Sequence, residues 1–275
     1  KGPNGEDQAG RDWADEAHNP GSSMKPFDLT AFLKDGRGLN AVFDGRSPRT
    51  FPDVPLPVRN AGTSSSCSEQ CTVAEAMQRS TNTVFYDMVL NVTKPGGVAE
   101  AAQEAGIRTK DTGGRSVLFT GDNNISIGGG QTAVTPADMA SAYATFAAGG
   151  VQHSRHFVQK VTNSQGETAY EADTRATDAF ADNDRGRSRQ IAGNVTAALA
   201  PVIPFSRLSC PAGHECAGKT GTQQHTPGDG EPASAANTNS QTWMVGYTPS
   251  VSAAVWVGSD GDKALRGPSG QPLTP

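Results

Sequence analysis

An α/β (α+β) chain with an antiparallel sheet covered by helices is what this sequence predicts, and three stretches carry the prediction. The last third reads as strands over 217–222, 242–247 and 252–257. The latter two are rich in aromatic and β-branched residues and are joined by a tight turn at Thr248-Pro249-Ser250. The clearest helix starts at Thr135, an N-cap residue, with Pro136 at the first helical position and Asp138 in the first turn; Gly149-Gly150 stops it. A further amphipathic pattern runs over 190–202.

Earlier elements follow in order. Residues 1–21 are polar, with Trp13 the only aromatic, and read as an arm leading into a helix over roughly 22–35 that carries Phe27, Leu29, Phe32 and Leu33. Gly, Pro, Ser and Arg dominate 36–66, an irregular surface loop. Helical patterns start at Val73 and continue from Val84 to Leu90, leaving Ser80-Thr81-Asn82 between two pieces, where short polar side chains compete with the backbone. A short helix over 97–105 is closed by Gly106 as a left-handed cap. Alternation over 156–161 runs into the turn Asn163-Ser164-Gln165-Gly166, which predicts a hairpin. The 18-residue polar stretch over 223–240 predicts a mobile loop beside the third motif described below.

Composition excludes several classes. The chain has 275 residues, 19% of them charged, and a net charge of −5 that is evenly scattered. No basic stripe favours nucleic acid. No apolar run approaches the roughly 20 residues of a membrane span, though a membrane anchor could precede Lys1. The four cysteines form two local pairs, Cys67/Cys71 and Cys210/Cys216, without Cys-x-x-Cys spacing. Two loop-closing disulfides of an exported protein are the favoured reading; a zinc site across the pairs, or one including His214, is the alternative.

Chemistry concentrates first in Pro20-Gly21-Ser22-Ser23-Met24-Lys25-Pro26-Phe27. Ser22 and Lys25 are three positions apart, about one helical turn, so an amine that can lose its proton sits beside a hydroxyl that needs to lose one. A helix start at Ser22 would also offer backbone N–H groups to an oxyanion, and Pro26 requires the helix to start nearby. Alone, this pattern is also what an exposed helix start looks like. Two further stretches change the weighting: Ser80-Thr81-Asn82 and Lys219-Thr220-Gly221-Thr222. Each pattern occurs once, in the order used by serine enzymes that recognise penicillin.

With these residues in view, the chain resembles the transpeptidase domain of class A (bifunctional) penicillin-binding proteins over most of 13–258. The stretch Pro20 to Phe27 looks like that family's nucleophile motif, and Ala74-Glu75-Ala76 through Ser80-Thr81-Asn82-Thr83 like its second. Val134-Thr135-Pro136-Ala137-Asp138-Met139-Ala140 resembles a typical helix start, and Lys219-Thr220-Gly221-Thr222 followed by Trp243-Met244-Val245-Gly246-Tyr247-Thr248-Pro249 completes the pattern. The cysteine pairs look similar to actinobacterial members. The resemblance implies a penicillin-binding protein transpeptidase / serine β-lactamase-like fold, with an antiparallel sheet of about five strands flanked by helices. It divides the chain into an arm over 1–21, the transpeptidase domain over 22–258 and a tail over 259–275.

Acyl transfer is the activity so implied. Ser22 would attack a stem peptide ending in D-Ala-D-Ala, with β-lactam antibiotics as covalent inhibitors. Lys25 would be its base, brought from about 10.4 to about 7–8, which takes ~4 kcal/mol. Burial and a second cation, Lys219, would supply that shift. Ser80 would relay a proton and Asn82 would hold the stem peptide's amide. Lys219, Thr220 and Thr222, with Gly221 between them, would take the terminal carboxylate. The backbone N–H groups of Ser22 and Thr222 would form the oxyanion hole. No cofactor, metal or nucleic acid is implied. The location would be extracytoplasmic, in the cell envelope.

Two alternatives share the motifs: a D,D-carboxypeptidase or β-lactamase-like hydrolase, and a non-catalytic β-lactam-binding sensor. No Glu-x-x-Leu-Asn is present, which argues against a class A β-lactamase, and no Gly-x-Ser-x-Gly elbow supports a Ser-His-Asp hydrolase. The family's glycosyltransferase domain is not among these residues. Related domains begin with a strand or two before the nucleophile helix and end with a helix packed on the sheet. A fragment is therefore expected, with an N-terminal strand from outside this chain pairing along Val251 to Val257.

Overall fold

The residues from Pro20 onward enter a 3-10 turn, Gly21–Met24, that runs straight into helix α1, Lys25–Lys34. Pro26 falls in the first turn of α1, where its missing N–H leaves no bond unmade. The computed structural model describes residues 10, 12–62, 65–110, 117–225, 238–258 and 263–271. Most of the polar stretch over 223–240, and much of the expected arm and tail, lie outside them.

Helix α1 is buried all round, its polar Lys25, Asp28 and Thr30 as completely as Phe27, Leu29 and Phe32. A helix surrounded by other helices has no solvent face, which is why its sequence lacks a clean apolar stripe. Its neighbours include α3, α4 and α6 of the series α2 (Val73–Arg79), α3 (Asn82–Met88), α4 (Lys94–Ala105), α5 (Pro136–Ala147), α6 (Arg185–Leu199) and α7 (Val202–Phe205). Local chemistry sets the ends. Thr135 Oγ1 accepts the Asp138 N–H at 3.1 Å, Asp184 Oδ1 accepts that of Arg187 at 2.9 Å, and Gly106 closes α4 at φ 117°. A π-helical turn, Val89–Thr93, lies between α3 and α4.

Among the described residues four strand groups form: β1 (Val42–Phe43) with β2 (Cys71–Thr72), β3 (Val151–His153) with β6 (Ala176–Asp178), β4 (Lys160–Thr162) with β5 (Thr168–Glu171), and an antiparallel sheet β7 (Ala217–Gln224), β8 (Asn239–Tyr247), β9 (Ser252–Gly258). Trp243, Val245 and Tyr247 share the buried face of β8, with helix α5 against β8 and β9 and α6 against β7. Tyr143 of α5 bridges the sheet and α1, its ring 6.2 Å from Tyr247 and 6.0 Å from Phe27. The sheet flanked by helices is as expected, but it has three strands among the described residues against about five.

The hairpin read near 156–161 exists, with its first strand at Lys160–Thr162, and it stands apart from the main sheet. Every strand residue in it is exposed, so no buried face draws it inward. The loop over 36–66 is largely irregular, yet Phe51 is buried 5.0 Å from the Tyr86 ring. Both cysteine pairs are disulfides, Cys67–Cys71 and Cys210–Cys216, and neither forms a zinc site. Trp13 and His18 lie over Trp256 of β9, while Val251, Val255 and Val257 are exposed.

Candidate active site

The Ser-x-x-Lys spacing does what one helical turn allows. Lys25 Nζ lies 2.6 Å from Ser22 Oγ. The same nitrogen reaches Ser80 Oγ and the Ser80 carbonyl, each at 3.1 Å, and Asn82 Oδ1 at 2.7 Å. Ser80 is brought there by its backbone. It caps α2 in the left-handed region, at φ 59° and ψ 40°, so the chain reverses before α3 and both Ser80 and Asn82 face Lys25. Asn82 is fixed from its other end as well, because its Nδ2 donates to the Arg59 carbonyl at 2.9 Å.

The third motif arrives on β7, the edge of the sheet. Lys219 is fully buried and donates to Ser80 Oγ at 2.9 Å and to the Thr220 carbonyl at 3.1 Å. Thr220 and Thr222 alternate with it on the half-buried face. Gly221 has a steric reason: a Cβ there would meet the Pro20 carbonyl oxygen at 2.4 Å. Gly21, at φ 55°, has the reciprocal one, since its Cβ would lie 2.5 Å from the Thr222 oxygen and 2.7 Å from the Thr222 nitrogen. Strand β7 and the Ser22 turn thus touch backbone to backbone at Thr222.

Electrostatics follow from burial. Lys25 is held well below its usual range, first because it is desolvated and then because the charge of Lys219 opposes its own; Asp28 pulls weakly the other way. Burial also brings Lys219 down to about 7. An amine that gives up its proton more readily than usual, placed beside a hydroxyl, is the arrangement a serine nucleophile needs.

Neighbouring groups hold the turn still. The Gly21 N–H donates to the Gly128 carbonyl at 3.1 Å, and Trp243 Nε1 donates to the Asn19 carbonyl at 2.9 Å. Ser23, the adjacent hydroxyl, is spent on the Pro20 carbonyl at 2.7 Å and is buried. Of the two adjacent serines, Ser22 is therefore the one whose hydroxyl meets the Lys25 amine.

Comparison with known proteins bears on this arrangement. A family model, the penicillin binding protein transpeptidase domain, matches residues 2–263. The chain belongs to the penicillin-binding protein transpeptidase family. This transpeptidase domain is 40% identical to penicillin-binding protein 1A of Mycobacterium tuberculosis over 97% of the chain, and 38% identical to that of Mycolicibacterium smegmatis over 98%. It spans about a third of either relative, 31% and 33% of their lengths. Among solved structures, PonA1 of M. tuberculosis in complex with penicillin V superposes with a TM-score of 0.80 at 37% identity, over 98% of this chain and 68% of that one. The D,D-transpeptidase domain of a peptidoglycan glycosyltransferase from Eggerthella lenta shares the fold, with a TM-score of 0.71 at 23% identity, over 94% of this chain and 64% of that one.

All eight residues singled out from the sequence of this transpeptidase domain fall on three segments, the Gly21–Met24 turn with α1, the α2–α3 junction and β7. Sequence reasoning missed its backbone partners. The Arg59 carbonyl and Gly128 carry no signal of their own beyond a run of three glycines at 128–130. It also passed over Asp28, whose signal was a lone acid among the apolar residues that follow Lys25.

Proposed function

We propose that this domain is a serine D,D-transpeptidase that cross-links peptidoglycan stem peptides through an acyl-enzyme on Ser22. The 2.6 Å approach of Lys25 Nζ to Ser22 Oγ carries the reading. Ser22 Oγ attacks the carbonyl of the penultimate D-Ala, and its proton passes to Lys25. Negative charge develops on the carbonyl oxygen, where the Ser22 and Thr222 N–H groups stabilise it, at ~3 kcal/mol per donor. The C–N bond then breaks, and the terminal D-Ala leaves with a proton delivered through Ser80. An amine of a second stem peptide attacks the ester, gives up its proton by the same route and frees Ser22. Lys219, Thr220 and Thr222 take the terminal carboxylate and Asn82 the stem's amide; Gly221 permits the close approach of β7. A β-lactam mimics the donor and stalls at the ester.

The longer protein would sit at the cell envelope, extracytoplasmic and anchored through sequence outside this chain, together with a glycosyltransferase domain. Two disulfides suit that oxidising side. Intact mass after benzylpenicillin tests the nucleophile: one adduct on the wild type and none on Ser22→Ala. An adduct that persists in Ser22→Ala, or maps to Ser23 or Ser80, refutes the assignment. Acyl transfer to an added amine separates the transpeptidase from a carboxypeptidase, and turnover separates both from a sensor.

A further inference from the structure

Beneath the catalytic cluster lies an acid that this scheme does not use. Asp28 stands one helical turn beyond Lys25 on the same face of α1, and no part of it reaches solvent. Two hydroxyls from different segments close on it. Thr93 Oγ1, from the π-helical turn, lies 2.5 Å from Oδ1, and Ser126 Oγ, from the 3-10 turn Asn123–Ile127, contacts Oδ2.

Counting protons shows what this pocket permits. Ser126 Oγ also lies 3.1 Å from the Phe85 carbonyl, and Thr93 Oγ1 lies 3.4 Å from that of Met88. Each hydroxyl has one proton to give. An ionised Asp28 accepts from both. A protonated Asp28 donates to Ser126 Oγ, which passes its own proton to the Phe85 carbonyl, while Thr93 still donates to Oδ1. Either state leaves every buried polar atom partnered, so the acid can titrate in place without unfolding its surroundings. Burial raises its affinity for a proton, the Ser126 and Thr93 bonds and the charge of Lys25 oppose that, and the balance falls at about 7.

Among the described residues, Lys25 is the one charged group acting on it. The other ionisable side chains on the elements packed around α1 are turned elsewhere. Asp87 pairs with Arg49, Tyr86 donates to Asp53, Lys94 donates to the Leu90 carbonyl, and Glu100 and Glu104 pair with Lys34. On α6, Arg185 pairs with Asp178, Arg187 donates to the Lys34 carbonyl and Arg189 is exposed. The 3-10 turn at 123–127 has no ionisable residue, and Tyr143 of α5 donates to the Ser23 carbonyl. Lys25 for its part faces Lys219 and Asp28. Two buried lysines meeting on one hydroxyl therefore have a single buried counter-charge.

We propose that Asp28 is that counter-charge, a positioning residue that sets the pH at which Lys25 becomes an available base for Ser22. The inference rests on the acyl-transfer reading above. Ionised Asp28 holds the proton on Lys25; neutral Asp28 lets it go. Without Asp28's charge, Lys25 loses its proton at lower pH and acylation extends further into acid.

The test is the rate of benzylpenicillin acylation of Ser22 across the pH range in wild type and Asp28→Asn. The acid limb of the variant is expected to move down by about one pH unit, the low end of what a nearby opposite charge contributes. A limb that stays in place or moves up overturns the proposal, including the case where the rate falls equally at all pH, which is what a purely structural Asp28 would give. If Asp28→Asn does not fold, Thr93→Val decides instead. Loss of that donor weakens the ionised acid, so the limb must move the same way by less, and an unmoved limb refutes the proposal. Wild type that is unacylated at every pH overturns the acyl-transfer reading itself, and this inference with it. Wild type that is acylated normally while the variant's limb stays unmoved overturns the role of Asp28 alone.

Discussion

Lys25 and Lys219 donate to the same oxygen: Ser80 Oγ lies 3.1 Å from the first nitrogen and 2.9 Å from the second. With both lone pairs so occupied, Ser80 still has one proton to donate. The two lysines come from a buried helix and a sheet edge, and their roles should separate. Lys25→Ala is expected to slow acylation by about 10²–10⁴-fold through loss of the base. Lys219→Ala should mainly raise the β-lactam concentration needed for half-maximal acylation. Equal loss for both at saturating β-lactam would show that the roles are wrongly divided.

Lys219 also makes stability depend on pH. Its proton affinity in the fold corresponds to about 7, against an ordinary 10.5 in the unfolded chain. The unfolded chain therefore binds more protons between those values, and the contribution of Lys219 to stability is whole above 10.5 and lost as pH falls to about 7. Lys219→Met should flatten the unfolding free energy over that window and raise the Tm at neutral pH. Denaturant titrations that give parallel pH dependence for the two proteins would rule this out.

Ser80 holds a left-handed backbone that a side chain resists, at φ 59°. Ser80→Gly relieves it and Ser80→Ala does not, so the glycine variant should be more stable than the alanine one by ~1 kcal/mol. Both lose the hydroxyl and should acylate slowly. Chemical denaturation beside stopped-flow acylation checks the pair, and an alanine variant at least as stable as the glycine one would contradict the strain.

Two glycines should respond in opposite directions. A Cβ at Gly221 strikes the Pro20 carbonyl oxygen at 2.4 Å, so Gly221→Ala must push β7 away from the Ser22 turn, costing ~1–3 kcal/mol and most of the acylation rate. Gly193, inside α6 with nothing within 4 Å of its Cβ position, should gain ~0.5–1 kcal/mol as Gly193→Ala with acylation unchanged. Thermal melts of both variants, with acylation rates, would expose an error in either sign.

The disulfides close short loops, with separations of 4 and 6 residues, so each should contribute less than the ~3 kcal/mol of a 15-residue loop. Thiol titration in denaturant without reductant should find no free cysteine. Removing Cys210–Cys216 by a double Ser substitution should lower the Tm while leaving Ser22 acylable, because the bridge precedes β7 rather than lining the site. Four free thiols would refute the pairing.

What the sequence determined by itself was local. Ser22 beside Lys25, the Thr135 cap of α5, the Gly106 stop of α4 and the pairing of neighbouring cysteines all depend on residues within about two turns of one another, where bond geometry leaves few choices. The hairpin at 160–171 was legible for the same reason; its separation from the main sheet was not, since that depends on which faces find partners. Only the tertiary structure could bring Ser80 to Lys25 across 55 residues and to Lys219 across 139. Only packing from all sides could strip water from Lys25, Asp28 and Lys219 together, because desolvation belongs to everything that surrounds a group and is not written beside it in the chain.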